Sequence, residues 1–177
     1  MKPQDEREFT DFVSGSSRSL RRTAYLLTGD WHRAEDVVQT AMVKLYVAWP
    51  RVARSAGFGT YARRTVVTCA IDESRRPWRR ERSVEVADAG APDRTDRPRE
   101  VDDRLLVVAA LAALPPRQRA TIVLRYYDDL SVEETAEVLG CTTGTVKSQT
   151  ARGLDALRVR LIAAGVHEPI TVGEDHP

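Results

Sequence analysis

Ser131–Leu161 reads SVEETAEVLGCTTGTVKSQTARGLDALRVRL, and its pattern of caps and apolar positions decides the fold of the C-terminal half. Ser131 is placed to N-cap a helix, and Glu134, three residues on, is placed to reach back and complete a capping box. Ala136, Val138 and Leu139 give that short helix an apolar side, and Gly140 can take the left-handed conformation that ends it. Thr142 or Thr143 caps a second helix running through Val146, Leu154, Leu157 and Leu161. Two helices across a tight glycine-containing turn form a helix-turn-helix, whose second helix is the one that enters a DNA major groove.

At about 100° per residue, Val146, Thr150, Gly153, Leu154, Leu157 and Leu161 share the inner side of this second helix. Ser148 and Arg152 lie opposite, with Gly144, Thr145, Ala151 and Asp155 beside them and Lys147 and Gln149 on the flanks. Short hydroxyl side chains can meet base edges or phosphates, and an arginine can grip guanine O6 and N7 together. The bland alternative is an amphipathic hairpin with a solvated face.

The rest of the chain fits a helical protein. Its 177 residues allow one ordinary domain or two small ones, and 42% hydrophobic with 30% charged residues suits a helix-rich globular composition. The net charge of +1 averages over uneven segments. Arg63–Arg82 holds seven arginines against Asp72, Glu73 and Glu81, whereas Ser83–Asp103 holds seven carboxylates against Arg94, Arg97 and Arg99. That segregation suits a nucleic-acid surface beside an acidic spacer. The polar start, MKPQDEREF, does not read as a signal peptide, and no membrane insertion is expected. Cys69 and Cys141 are too few for a disulfide framework and are expected to be buried thiols in a cytoplasmic protein.

In chain order, helices are expected over Gln4–Phe12, Ser17–Leu27 and Trp31–Trp49, with Asp30 capping the third and Pro50 stopping it. Arg51–Gly59 reads as a loop around Phe58. A further helix over Thr60–Arg75 leads into RRPWRR. Ser83–Arg99 lacks periodicity and reads as a flexible linker. Leu105–Ala112 marks another helix, and Leu114-Pro115-Pro116 separates it from one through Ile122 and Tyr126. The fold class is all-α: residues 1–80 form one domain, 81–101 the linker, 102–164 a second domain with the helix-turn-helix, and 165–177 a disordered tail.

The segments GDWHRAEDVVQTAMVKLYVAW, TYARRTVVTCAIDESRR and LPPRQRATIVLRYYDDLSVEETAEVLGCTTGTVKSQTARGLDALR resemble, in order and over nearly the whole chain, those of extracytoplasmic-function sigma factors. These are small bacterial RNA polymerase specificity subunits containing only sigma regions two and four. The resemblance is to an actinobacterial subgroup in particular.

The resemblance implies core RNA polymerase, through its beta-prime clamp and beta flap, and promoter DNA as partners, with an anti-sigma factor as a further candidate. It places Glu35, Asp36, Gln39 and Lys44 on the clamp-docking helix. The loop around Phe58 corresponds to the one holding a base flipped from the −10 element. Tyr61, Arg64 and Thr68, with Arg75 and Arg76, belong to the surface that reads and opens that element. Thr145, Lys147, Ser148, Ala151 and Arg152 correspond to the −35-reading face. The acidic linker would occupy the channel used by single-stranded nucleic acid.

Two departures stand out. Thr68 and Cys69 occupy positions where the family commonly carries Asn followed by a small residue, which leaves the preferred −10 base open. Gln149 replaces a common arginine and Ala151 offers only a methyl contact, so polymerase tethering would supply more of the affinity.

Two rival readings come from other classes. A stand-alone helix-turn-helix regulator accounts for the C-terminal half and leaves the N-terminal half unexplained. An enzyme would need more than His32 and Asp36 four apart on one helix, since no nucleophile set, phosphate loop or further ligand supports them. The expectation is therefore a binding protein with no catalytic residue, no metal and no cofactor.

Overall fold

A computed structural model of the chain describes residues 2–55, 57–75 and 99–166, all of them helix or connecting segment. The RRPWRR run from Arg76 on, the expected linker up to Pro98 and the tail beyond Val166 lie outside the described residues. Seven helices are described: α1 (Pro3–Thr28), α2 (Trp31–Val52), α3 (Phe58–Ser74), α4 (Arg99–Ala112), α5 (Pro116–Tyr126), α6 (Val132–Leu139) and α7 (Thr143–Ala163). Among the described residues no helix is long and apolar enough to cross a membrane.

Four boundaries differ from the sequence reading. The two helices expected before Leu27 are one helix of 26 residues. Gly15 does not break it, because Phe12 before it and Leu20 after it both pack on the apolar core; Ser16 Oγ, 2.6 Å from the Phe12 carbonyl, and Ser17 Oγ on that of Val13 spend their hydroxyls on the helix's own backbone. Pro50 lies inside α2 rather than ending it, and the helix runs on to Val52, where the Ala53 amide still reaches Trp49 O at 3.0 Å. Phe58 opens α3 instead of sitting in a loop. Helix α4 begins at Arg99, within the stretch assigned to the linker.

Helices α1, α2 and α3 pack on one another, as do α5, α6 and α7. At the base of α3 a group of rings fixes the α2–α3 connection: Phe58 packs edge-on against Phe12 and Trp49, both at 4.9 Å, and Phe9 against Trp49 at 5.0 Å. Edge-to-face geometry suits the ring quadrupoles. Leu45 and Val66 are fully buried in this half, and Leu124 and Val146 in the other. One apolar core runs through both halves, from Leu20, Val37 and Val67 to Leu111, Leu124, Leu157 and Leu161.

Candidate nucleic-acid interface

The helix-turn-helix is built from local bonds. Ser131 Oγ accepts from the Glu134 amide at 3.1 Å, and Glu134 Oε2 accepts from the Ser131 amide at 2.8 Å, closing the capping box. Those bonds hold the exposed Glu134 carboxyl below its ordinary range, by the Ser131 backbone first and its hydroxyl second. Gly140 ends α6 at φ 61°, and Thr142 rather than Thr143 caps α7, accepting from the Thr145 amide at 3.1 Å. Val146 is fully buried in the angle between the helices, and Ala136 of α6 is buried at 7% exposure. Gly153 lets α7 lie directly on α5: a Cβ there would fall 2.9 Å from Ile122 Cγ1.

With its inner side held in this way, α7 turns its outer face to solvent. Lys147, Ser148, Ala151 and Arg152 are exposed, as the helical period predicts. Thr145 is half-buried, and its hydroxyl lies 2.9 Å from Thr142 Oγ1. Gln149 is turned off this face into a cleft, where its Oε1 is buried with no hydrogen-bond partner among the described residues.

The surface assigned to the docking helix is also open. Glu35, Asp36, Gln39 and Lys44 on α2 are exposed, and Glu35 is paired with Arg21 of α1. The sequence reading missed that Val43 and Val47 stand exposed on the same helix, at 65% and 68%. Their one-turn spacing was the available signal, because it continues no buried stripe.

Tyr61, Arg64 and Thr68 on α3 and Arg75 just beyond its end are exposed, and Phe58 is half-buried with its ring in the aromatic group. Arg64, Thr68 and Arg75 line a cleft of about 300 Å³ whose other lining residues include Arg117, Gly140, Cys141, Thr145 and Gln149. Arg76 lies outside the described residues. Of the two thiols expected to be buried, Cys69 is buried and Cys141 is half-buried in the cleft wall.

Sequence reasoning also missed Arg119 of α5, which ties the two halves together and is only 8% exposed. Its Nη1 donates to Leu27 O at 2.6 Å, and its Nη2 to Leu114 O at 3.0 Å and to Ala112 O. Burial, then the nearby Arg33 charge, pushes this guanidinium down to about 10, so it remains a cation at neutral pH. It therefore brings positive charge to the carbonyl ends of α1 and α4, where the helix dipoles favour it.

Comparison with known proteins accounts for both halves. Residues 12–80 match the model of Sigma-70 region 2, and residues 104–157 that of Sigma-70, region 4. The chain is 36% identical over 160 residues to the RNA polymerase sigma-E factor of Streptomyces avermitilis, covering 87% of this chain and 85% of that protein. It is 37% identical over 154 residues to the ECF RNA polymerase sigma factor SigL of Mycobacterium tuberculosis, covering 83% and 85%. The fold matches that of the sigma factor RpoE from Bartonella quintana, solved in complex with the anti-sigma factor NepR, with TM-score 0.67, 23% identity and coverage of 88% of this chain and 98% of that one. This chain belongs to the extracytoplasmic-function sigma factors of bacterial RNA polymerase, a family of transcription initiation factors. The match over residues 12–80 decides against the stand-alone regulator, which leaves that half unexplained.

Proposed function

We propose that the chain docks on core RNA polymerase through the exposed edge of α2 and directs initiation by reading two promoter elements. In this reading Glu35, Asp36, Gln39 and Lys44, extended by Val43 and Val47, meet the beta-prime clamp, and the α4–α7 half meets the beta flap. Lys147, Ser148, Ala151 and Arg152, with Thr145 at the helix start, read the −35 element. Tyr61, Arg64, Thr68, Arg75 and Arg76 engage the −10 element, and Phe58 with the turn before it receives an extruded base. Extrusion costs a few kcal/mol, offset by stacking and pocket contacts. The chain contributes binding and positioning in the cytoplasm, and polymerisation belongs to the core enzyme. An anti-sigma factor is a further proposed partner.

The observation that carries this reading is the second helix of a complete helix-turn-helix presenting Lys147, Ser148, Ala151 and Arg152 to solvent. A bidentate arginine contact discriminates bases by about 1–3 kcal/mol. Arg152→Ala should therefore lower run-off transcription from a preferred −35 promoter by about tenfold, with polymerase binding retained. Lys147→Ala should weaken all promoters evenly and flatten the salt dependence. Transcription from the preferred promoter at parental level by Arg152→Ala would remove α7 from the −35 contact.

A further inference from the structure

We infer that Arg54 is a promoter contact, clamping a backbone phosphate beside the extruded base, and that Asp5 in the first turn of α1 is the positioning residue that aims it. The inference rests on the assignment of the turn before Phe58 as the base-receiving one and deepens it, because it adds a phosphate contact and the residue that sets it.

Between Val37 and Ile71 the chain carries five cations, Lys44, Arg51, Arg54, Arg63 and Arg64, and no carboxylate. The carboxylates that meet Arg54 are brought to it by α1. Arg54 Nη2 donates to Asp5 Oδ1 at 2.9 Å and lies 3.8 Å from Glu8 Oε2. Asp5 is 5% exposed, and its other oxygen accepts from the Lys2 amide at 3.4 Å. A carboxylate is tolerated in such burial when it is paired and hydrogen-bonded, so this acid is a fixed anchor. Phe9 and Phe12 follow Asp5 at helical spacing and both pack on Trp49, and Phe12 packs on Phe58 as well. One face of α1 thus holds the helix before the turn, the residue that opens the helix after it, and Arg54 between them.

The ion pair is lopsided. The Asp5 side chain is 7% exposed and that of Arg54 66%. A guanidinium offers its N–H donors in a planar fork. Asp5 and Glu8 engage Nη2, while Nε and Nη1 have no hydrogen bond among the described residues. Those donors belong to a charged, oriented group at an exposed position, and an arginine fork matches two oxygens of a phosphate. Beside it the backbone is open: a Cβ at Gly57 would meet nothing within 4 Å. Arg63 Nη1 lies 3.8 Å from where a Cβ of Gly59 would stand, so a second guanidinium borders the same turn. Phosphate contacts fix register and orientation, whereas base contacts specify. Arg54 so placed holds the strand while the neighbouring base is turned out.

The test uses holoenzyme assembled from core polymerase and this chain, on a promoter that the parent selects from a randomised library. Each nontemplate-strand phosphate of the −10 element is replaced in turn by a neutral methylphosphonate, and promoter affinity is measured. For the parent, one replacement should weaken binding by roughly tenfold, the order of a charge-assisted hydrogen bond. Arg54→Ala should bind the unmodified promoter about as weakly, ignore that replacement, and lose roughly 0.7–0.9 from its salt slope. Asp5→Asn keeps the Arg54 charge but should reduce the response to about threefold, because the unclamped arginine must then be ordered by the DNA itself. A parent indifferent to every replacement, or an Arg54→Ala holoenzyme that responds as the parent does, overturns the clamp. A parental response by Asp5→Asn overturns the positioning role. Capture of core polymerase, which uses the α2 edge, shows that each variant is folded. Should Arg54→Ala lose it, Arg54→Lys, which keeps a cation against Asp5 and gives up the fork, takes its place with the same loss of response expected. If the parent selects no promoter, the functional reading itself falls and the inference with it.

Discussion

Arg119→Met keeps much of the length of the side chain and removes every donor from the buried junction of α1, α4 and α5. Three carbonyls, those of Leu27, Ala112 and Leu114, then lose the partner they have in the parent. A buried polar group left without its partner costs about 1–3 kcal/mol, so three give roughly 3–9 kcal/mol before any offset. The offset is the desolvation of the guanidinium, which burial has already pushed down to about 10 and which the methionine no longer bears. Helix-end carbonyls also recover part of the loss from water as the site relaxes. The net destabilisation should be about 2–4 kcal/mol. Urea unfolding followed by far-ultraviolet circular dichroism measures it: with a slope of about 2 kcal/mol per molar, the midpoint falls by roughly 1–2 M. Arg119→Lys, with one ammonium in place of a planar fork, should recover only part of this. A midpoint for Arg119→Met within about 0.25 M of the parent's, or about 0.5 kcal/mol, would refute the role given to these bonds.

Gly153→Ala places a methyl 2.9 Å from Ile122 Cγ1 and should cost about 1–3 kcal/mol despite the better helix propensity of alanine, with Ile122→Val restoring part of it; thermal melting measures both. Burial raises the Asp128 carboxyl above its ordinary value, against the opposing effects of the Thr23 hydroxyl and then the Arg63 charge. Protonation therefore favours the folded chain, and this contribution is present below the ordinary carboxylate range and lost as pH rises through the raised value. Asp128→Asn should accordingly melt above the parent at pH 7 and converge with it in acid; a lower melting point at pH 7 would mean that Arg63 outweighs burial. Asp36→Arg combined with Gln39→Ala, both at exposed positions, should abolish capture of core polymerase in a pull-down while leaving helicity and melting nearly unchanged. Undiminished capture would remove this edge of α2 from the docking surface.

The chain's local signals were legible because their partners are three or four residues away. Ser131 with Glu134, Gly140 at the turn and Thr142 before α7 fix the helix-turn-helix through bonds that span one helical turn. The outward positions of Lys147, Ser148, Ala151 and Arg152 follow from the same periodicity, and the exposed α2 edge from the apolar stripe opposite it. What tertiary structure decided depends on partners remote in sequence. Pro50 reads locally as a stop and the segment between Phe12 and Ser17 as a gap, yet α1 runs through its gap, held by Phe12 and Leu20 in the core, and α2 carries on past Pro50 to Val52. Arg119, to which the sequence reading gave no role, is buried because its acceptor Leu27 O comes from 92 residues away. Arg64 and Thr68 were assigned a nucleic-acid face from sequence, but only the fold sets that face against Gly140 and Thr145. Short-range hydrogen bonds are encoded by spacing, whereas a contact between halves is fixed only when the apolar core that joins them has formed.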